Sequence, residues 1–296
     1  GAALFNTNPQ SINGSGSLSF ANIVAVIGVT VTNNNNTAIT MTNTAAGTLQ
    51  GTGNWTQGAN SFLYYSGSTI TITSFNATAS NNLVEYNRAG IQTIYCTSYY
   101  NFNVNNSGTK TFACGTTVLG DITIGPGATL AGSTFSHTMQ GNFTNNGTFS
   151  ASTSTITFSG TTAQTIMGTS TTNFNNLTFS NTFATICSTS INVNGILSVA
   201  ANTILDPVPA VIIGGTGTLT GNGKVNVSRT ISTPDFNSQY TISGKNLSSL
   251  TVNYTGAGCA HNSADRVKLY DHNGNLLLSK QLIPLIGNTY KYEFTC

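Results

Sequence analysis

The sequence predicts an all-β protein, a right-handed parallel β-solenoid of about 20 residues per coil, and three observations carry that expectation. Short segments with apolar residues at i and i+2 recur along most of the chain, among them Leu18-Ser19-Phe20, Ile70-Thr71-Ile72, Val84-Glu85-Tyr86 and Ile122-Thr123-Ile124. Such alternation turns one face of a strand inward and the other outward. The segments are regularly spaced, with steps of 18 from Val84 to Phe102, 20 from Phe102 to Ile122 and 20 from Leu177 to Leu197. Finally, a motif block occurs twice, offset by 72 from Gln92 to Gln164 and by 75 from Phe102 to Leu177 and from Leu130 to Leu205. Repetition of this kind marks stacked units that bury their apolar faces only against one another.

Composition agrees with that class and narrows the function. Charged residues make up 5 % of the 296 and the net charge is +2, against roughly 25 % charged in an average globular domain. No basic stripe is present to neutralise a nucleic-acid backbone, and no apolar run reaches the ~18 residues of a membrane span. Nucleic acid and membrane insertion are therefore not expected as partners. Thr, Asn, Ser and Gly dominate, with Val, Ile, Leu, Phe and Tyr placed singly between them. The β-branched and aromatic residues suit a pleated surface, while Gly and Asn suit tight turns such as Asn145-Asn146-Gly147 and Asn194-Gly195. A start at Gly1, without Met or signal peptide, is read as a processed chain or a fragment.

The expected organisation is a solenoid over residues 1–255 and a distinct end over 256–296. About thirteen coils fit the first segment, and ~4.8 Å between neighbouring strands makes them a rod of roughly 60 Å. The end segment is richer in charge. Val267-Lys268-Leu269-Tyr270 and Leu276-Leu277-Leu278-Ser279-Lys280 flank an Asn273-Gly274 turn, the pattern of a β-hairpin. It is expected to be a C-terminal β-hairpin cap, covering the open solenoid edge, or the start of a second β module.

Several stretches resemble one family. They include Gly51-Thr52-Gly53-Asn54-Trp55-Thr56-Gln57-Gly58, Tyr65-Ser66-Gly67-Ser68-Thr69-Ile70, Gln92-Thr93-Ile94, Gly141-Asn142-Phe143-Thr144-Asn145-Asn146-Gly147 and Lys224-Val225-Asn226-Val227-Ser228-Arg229-Thr230. In order and number, over roughly residues 45–255, they are similar to the long repeat adhesins of Bacteroidota-type bacteria. Those are cell-surface proteins exported by the type 9 secretion system, some of them linked to gliding motility. The resemblance implies an extracellular, structural or adhesive role and no catalytic residues. The charged tail after Cys259 and the cysteines depart from the family pattern, and no C-terminal sorting module is recognisable.

The candidate sites are few. Glu85 and Asp121 lie 36 residues apart, close to two coils, and on a shared face they are the one carboxylate pair that suggests a carbohydrate-active β-helix enzyme. Isolated surface carboxylates are the plainer expectation, and the chain is not expected to be an enzyme. Cys259, His261, Asp271 and His272 match no metal-ligand spacing, so neither a metal nor another cofactor is expected. Cys96 and Cys114, 18 residues apart, fall at stacked positions within disulfide reach, while Cys259 and Cys296 are candidates to staple the tail. Buried reduced thiols are the alternative for all of them, and the odd count of five leaves at least one thiol unpaired within the chain. Thr-x-Thr strands such as Thr30-Val31-Thr32, Thr40-Met41-Thr42 and Thr71-Ile72-Thr73 raise ice binding, although the rows are not seen to persist in successive coils. Tyr64-Tyr65, Tyr99-Tyr100 and Trp55 raise glycan stacking, with alternate members expected inside. The resulting expectation is a structural and adhesive segment of a cell-surface adhesin or extracellular filament. Its expected partners are a surface polysaccharide, another copy of itself, or a longer adhesin chain.

Overall fold

The computed structural model describes residues 1–208, 211–230, 249–255, 266–270, 276–281, 283–284 and 289–295. The chain is all-β, with parallel strands stacked as a β-solenoid of about ten turns of roughly 21 residues. It forms two compact units, Gly1–Thr155 and Ile156–Cys296.

One turn of the first unit shows how the coil is made. Strand Asn101–Val104 lies on a first face, Gly108–Phe112 on a second and Thr117–Val118 on a third, and Ile122–Ile124 returns to the first. On the first face Leu63, Val84, Phe102, Ile122 and Phe143 occupy one register position in successive parallel strands. On the second face Gln92, Lys110, Leu130 and Phe149 do the same. Each inward residue thus sits about 4.8 Å above its counterpart. Phe102, Ile122, Phe143 and Leu130 are completely buried, and Phe149 nearly so. Each such apolar side chain contributes about 1.5–3 kcal/mol when removed from water.

The solenoid has about ten turns rather than the expected thirteen, and its turns are unequal in length. Ile39 to Leu63 is a step of 24, where the nine-residue strand Leu49–Gln57 serves two stacks, pairing both Asn22–Ala25 and Thr30–Asn35. Gly51, at φ +117, lets its backbone pass Ala25, whose carbonyl oxygen would lie 2.1 Å from any added Cβ. Trp55 is fully buried there and donates its indole N–H to Gln57 Oε1 at 3.1 Å.

The second unit continues the pattern. Gln164–Met167, Ala184–Cys187 and Ile204–Pro207 stack in parallel, as do Asn176–Phe179, Ile196–Val199 and Thr218–Thr220. Phe158 stacks on Phe179 with centroids 5.5 Å apart. Toward its end, Ser249–Thr255 pairs antiparallel with Thr289–Thr295, and Arg266–Tyr270 pairs antiparallel with Leu276–Gln281. The second pairing is the hairpin read from the Asn-Gly pattern; its turn lies outside the described residues.

The duplicated block proves not to be the stacking unit. Its offset of 72 is close to three and a half turns of roughly 21, so Gln92 and Gln164 fall in different sheets. What the copies share is local chemistry. Both glutamines are fully buried, and each Oε1 accepts the backbone N–H four residues back, from Arg88 at 3.0 Å and Gly160 at 2.8 Å. Gln92 Nε2 also donates to the carbonyls of Tyr65 and Gly67 at 2.9 and 2.8 Å, while Gln164 Oε1 accepts from Asn181 Nδ2 at 2.8 Å. Asn33, Asn35 and Asn82 likewise donate from inside to the carbonyls of Phe62, Gly16 and Gln57. These amides supply partners to backbone groups at the corners, where the strand ladders are interrupted.

A buried backbone group left unpaired costs about 1–3 kcal/mol, so Gln92→Leu and Gln164→Leu are each expected to lower stability by about 2–4 kcal/mol. The shift in urea midpoint checks this against Thr93→Leu on the outward face, which is expected to change little. Equal midpoints for all three variants would contradict the role assigned to the glutamines.

Candidate functional site

The outward columns of the first face are the chemically most varied surface described. One column runs Thr40, Tyr64, Glu85, Asn103, Thr123 and Thr144. Beside it run Phe62, Leu83 and Asn101, and Asp121 and Asn142 each directly precede the next strands. Among the described residues the Glu85 side chain makes no hydrogen bond or ion pair, and neither do those of Tyr64 and Asn103.

Glu85 and Asp121 therefore share a face, but two rungs and two residues separate them. At ~4.8 Å per rung and ~3.3 Å per residue their Cα atoms are roughly 12 Å apart. Asp121 Oδ1 accepts from Asn142 N at 2.8 Å and Asn142 Nδ2 at 3.0 Å, which draws it toward the rung farther from Glu85. The Asp121 carboxylate braces a turn.

The aromatic residues divide as alternation requires. Tyr65, Tyr99 and Trp55 are fully buried, whereas Tyr64 and Tyr100 are partly exposed. Inside, Tyr86 and Tyr99 share a hydroxyl–hydroxyl contact of 3.1 Å, Tyr99 donates to the Tyr95 carbonyl at 2.8 Å, and the Tyr95 N–H donates to Tyr86 at 2.9 Å. Burial raises both phenols far above their usual range. They are core groups with satisfied hydroxyls.

The Thr-x-Thr strands named from the sequence do not continue as rows, since Thr30 stands beside Asn54, Thr40 beside Tyr64 and Thr71 beside Gln50, but the second face carries hydroxyl columns that the sequence did not reveal. Thr93, Thr111, Ala131 and Ser150 form one outward column, and Thr109, Thr129 and Thr148 a second. The rows escape a sequence scan because their steps vary between 18, 19 and 20 residues. Only the inward partners Lys110, Leu130 and Phe149 reveal the alignment. Hydroxyl and methyl groups there make a net of about 4.8 Å by ~6.6 Å.

Lys110 was legible as an inward position, two residues before Phe112, yet its burial was not anticipated. It is fully buried, and its ammonium donates to the carbonyls of Arg88 and Ser107 at 2.8 Å, with longer contacts to Asn106 and Gly108. Gly108, at φ +88, permits the close approach to Gly90 that closes this cage. Burial lowers the lysine pKa to about 8. Its partners among the described residues are carbonyl oxygens, whose dipoles offset the charge.

Of the cysteine candidates, Cys96 and Cys114 are joined by a disulfide with a Cα separation of 5.5 Å, linking adjacent coils next to the Thr93–Thr111 pair. Cys187 is a free, buried thiol whose pKa burial pushes up to about 12, so it packs as an apolar group. Cys259, Cys296, His261, Asp271 and His272 lie outside the described residues. Comparison with protein-family models, with curated proteins and with solved structures finds no match, so the functional reading rests on these residues.

One core group gives a pH dependence. His137 is 1 % exposed, its Nε2 lies 2.9 Å from the Gly132 carbonyl, and its buried Nδ1 has no partner. Burial lowers its pKa below the ordinary 6.5, so as pH falls through that value the unfolded chain takes up the proton first and stability falls. Thermal melts between about pH 7 and pH 5 are expected to show a decline that His137→Phe reduces. A decline of the same size in the variant would contradict the assignment.

Proposed function

We propose that this chain is a structural and adhesive segment of an extracellular, cell-surface protein, in which stacked coils present neutral contact columns. The observation that carries the reading is the coupling of an inwardly stitched backbone to outward columns of hydroxyl and amide groups. Buried Asn, Gln and Lys side chains bind one coil to the next, and the outer positions are left for small polar residues in register. Such a surface attracts little by charge and binds through many repeated weak contacts. The Cys96–Cys114 disulfide suits an oxidising exterior, and the resemblance to Bacteroidota-type repeat adhesins supports the same location. Immunogold labelling of source cells with antibodies to the purified chain is expected to decorate the outer surface. Label confined to the cell interior would overturn the reading.

The threonine net favours a second reading, an ice-binding face. Its two columns, of four and three rungs, carry a hydroxyl at six of their seven positions, a pattern able to order water in a lattice. Purified chain is then expected to arrest ice growth below the melting point, and Thr129→Lys to abolish the effect. Unhindered ice growth by the parent chain would remove this reading.

A further inference from the structure

We propose that Phe62, Tyr64, Leu83, Glu85, Asn101 and Asn103, outward on three consecutive strands of the first face, form a binding site for a neutral polysaccharide chain. The inference rests on the extracellular adhesive reading above and names the partner of that surface. The six residues make two neighbouring columns in strict register: Phe62, Leu83, Asn101 and Tyr64, Glu85, Asn103. Each position lies about 4.8 Å from the next across the strands and ~6.6 Å from its neighbour along them, so the patch offers a few sugar rings a continuous platform.

Its chemistry is that of a pyranose surface in complement. A sugar ring carries an apolar C–H face, which packs on aromatic and aliphatic side chains, here Tyr64, Phe62 and Leu83. It also carries hydroxyl donors, for which a carboxylate is the strongest side-chain acceptor. Glu85 is such an acceptor, partly exposed between Tyr64 and Asn103, and among the described residues its side chain has no partner. Asn103 is equally uncommitted and offers both a donor and an acceptor. Asn101 Oδ1 accepts the Asp121 N–H at 2.9 Å, which orients that amide and leaves its NH2 group to donate.

Charge selects the class of glycan. The ionised side chains on these columns are Glu85 and Asp121, both acidic, so an acidic polymer is repelled and a neutral one is not. A second copy of the chain is a poorer occupant. The patch holds one Phe and one Leu among polar groups, and a copy would place Glu85 against the same uncompensated acid.

Affinity electrophoresis tests the proposal. The purified chain would be run through gels containing soluble neutral polysaccharides (mixed-linkage β-glucan, xyloglucan, galactomannan) or polygalacturonate, beside Tyr64→Ala, Glu85→Gln and, on the outward side of Asn176–Phe179, Thr178→Ala. At least one neutral polymer is expected to retard the parent and Thr178→Ala, with Tyr64→Ala weakened roughly tenfold, as for loss of a central aromatic anchor. Glu85→Gln is expected to weaken binding less. Unchanged melting temperatures would show that the variants fold. Failure of every neutral polymer, retardation by polygalacturonate alone, or full retardation of Tyr64→Ala would overturn the proposal. So would dimerisation by light scattering that Tyr64→Ala abolishes without any retardation. A chain that labels the cell surface yet ignores glycans would leave the adhesive reading standing and remove only this site.

Discussion

Everything in this structure depends on how the coil corners satisfy their backbone. Within the strands, parallel pairing consumes the amides and carbonyls; at each corner that ladder breaks, and water is excluded from the inside. Buried amide side chains take over there. Gln92 closes on Arg88 N and reaches the carbonyls of Tyr65 and Gly67 in the preceding coil, and Asn82 reaches Gln57. Lys110 is the extreme case, an ammonium held by four carbonyls in the register position that Gln92 fills one coil earlier. An unpaired group in such surroundings costs more than a well-made bond returns, which accounts for the Asn and Gln side chains held inside the coils.

The outside follows from the inside. Because stacking and stitching supply cohesion, the outward positions need no ion pairs, and the chain tolerates charge at only 5 % of its residues. Small hydroxyl residues fill most of these positions, and hydrogen-bonded columns such as Asn13–Asn34 and Asn173–Asn192 extend the coupling along the surface. Against that uniform background Tyr64, Phe62 and the unpartnered Glu85 stand out as a place where the surface is built for something other than cohesion.

Much of the fold was legible because alternation and spacing are direct consequences of pleating and stacking. Val84-Glu85-Tyr86 and Ile122-Thr123-Ile124 adopt the phases their apolar residues dictate, and Lys110 obeys the same phase although its charge argues for the exterior. The duplicated block misled on the unit of stacking, since Gln-Thr-Ile recurs for its corner chemistry rather than its position in a sheet. The threonine columns were hidden for a related reason: turns of unequal length put aligned residues at changing separations. At the surface, sequence phase separates Tyr64 from Tyr65, but only strand register shows that Tyr64 stands beside Glu85 and Asn103.

Successive coils stack in parallel with Thr109, Thr129 and Thr148 in one outward column. Paired cysteine substitutions test it most directly, with disulfide formation mapped by mass spectrometry of proteolytic peptides. The account predicts that Thr109→Cys with Thr129→Cys, and Thr129→Cys with Thr148→Cys, cross-link readily within one molecule. Thr109→Cys with Thr148→Cys, two rungs apart at roughly 9.6 Å, would stay reduced. Efficient linkage of that third pair, or none in the first two, would contradict the stacking register on which the structure and its proposed surfaces rest.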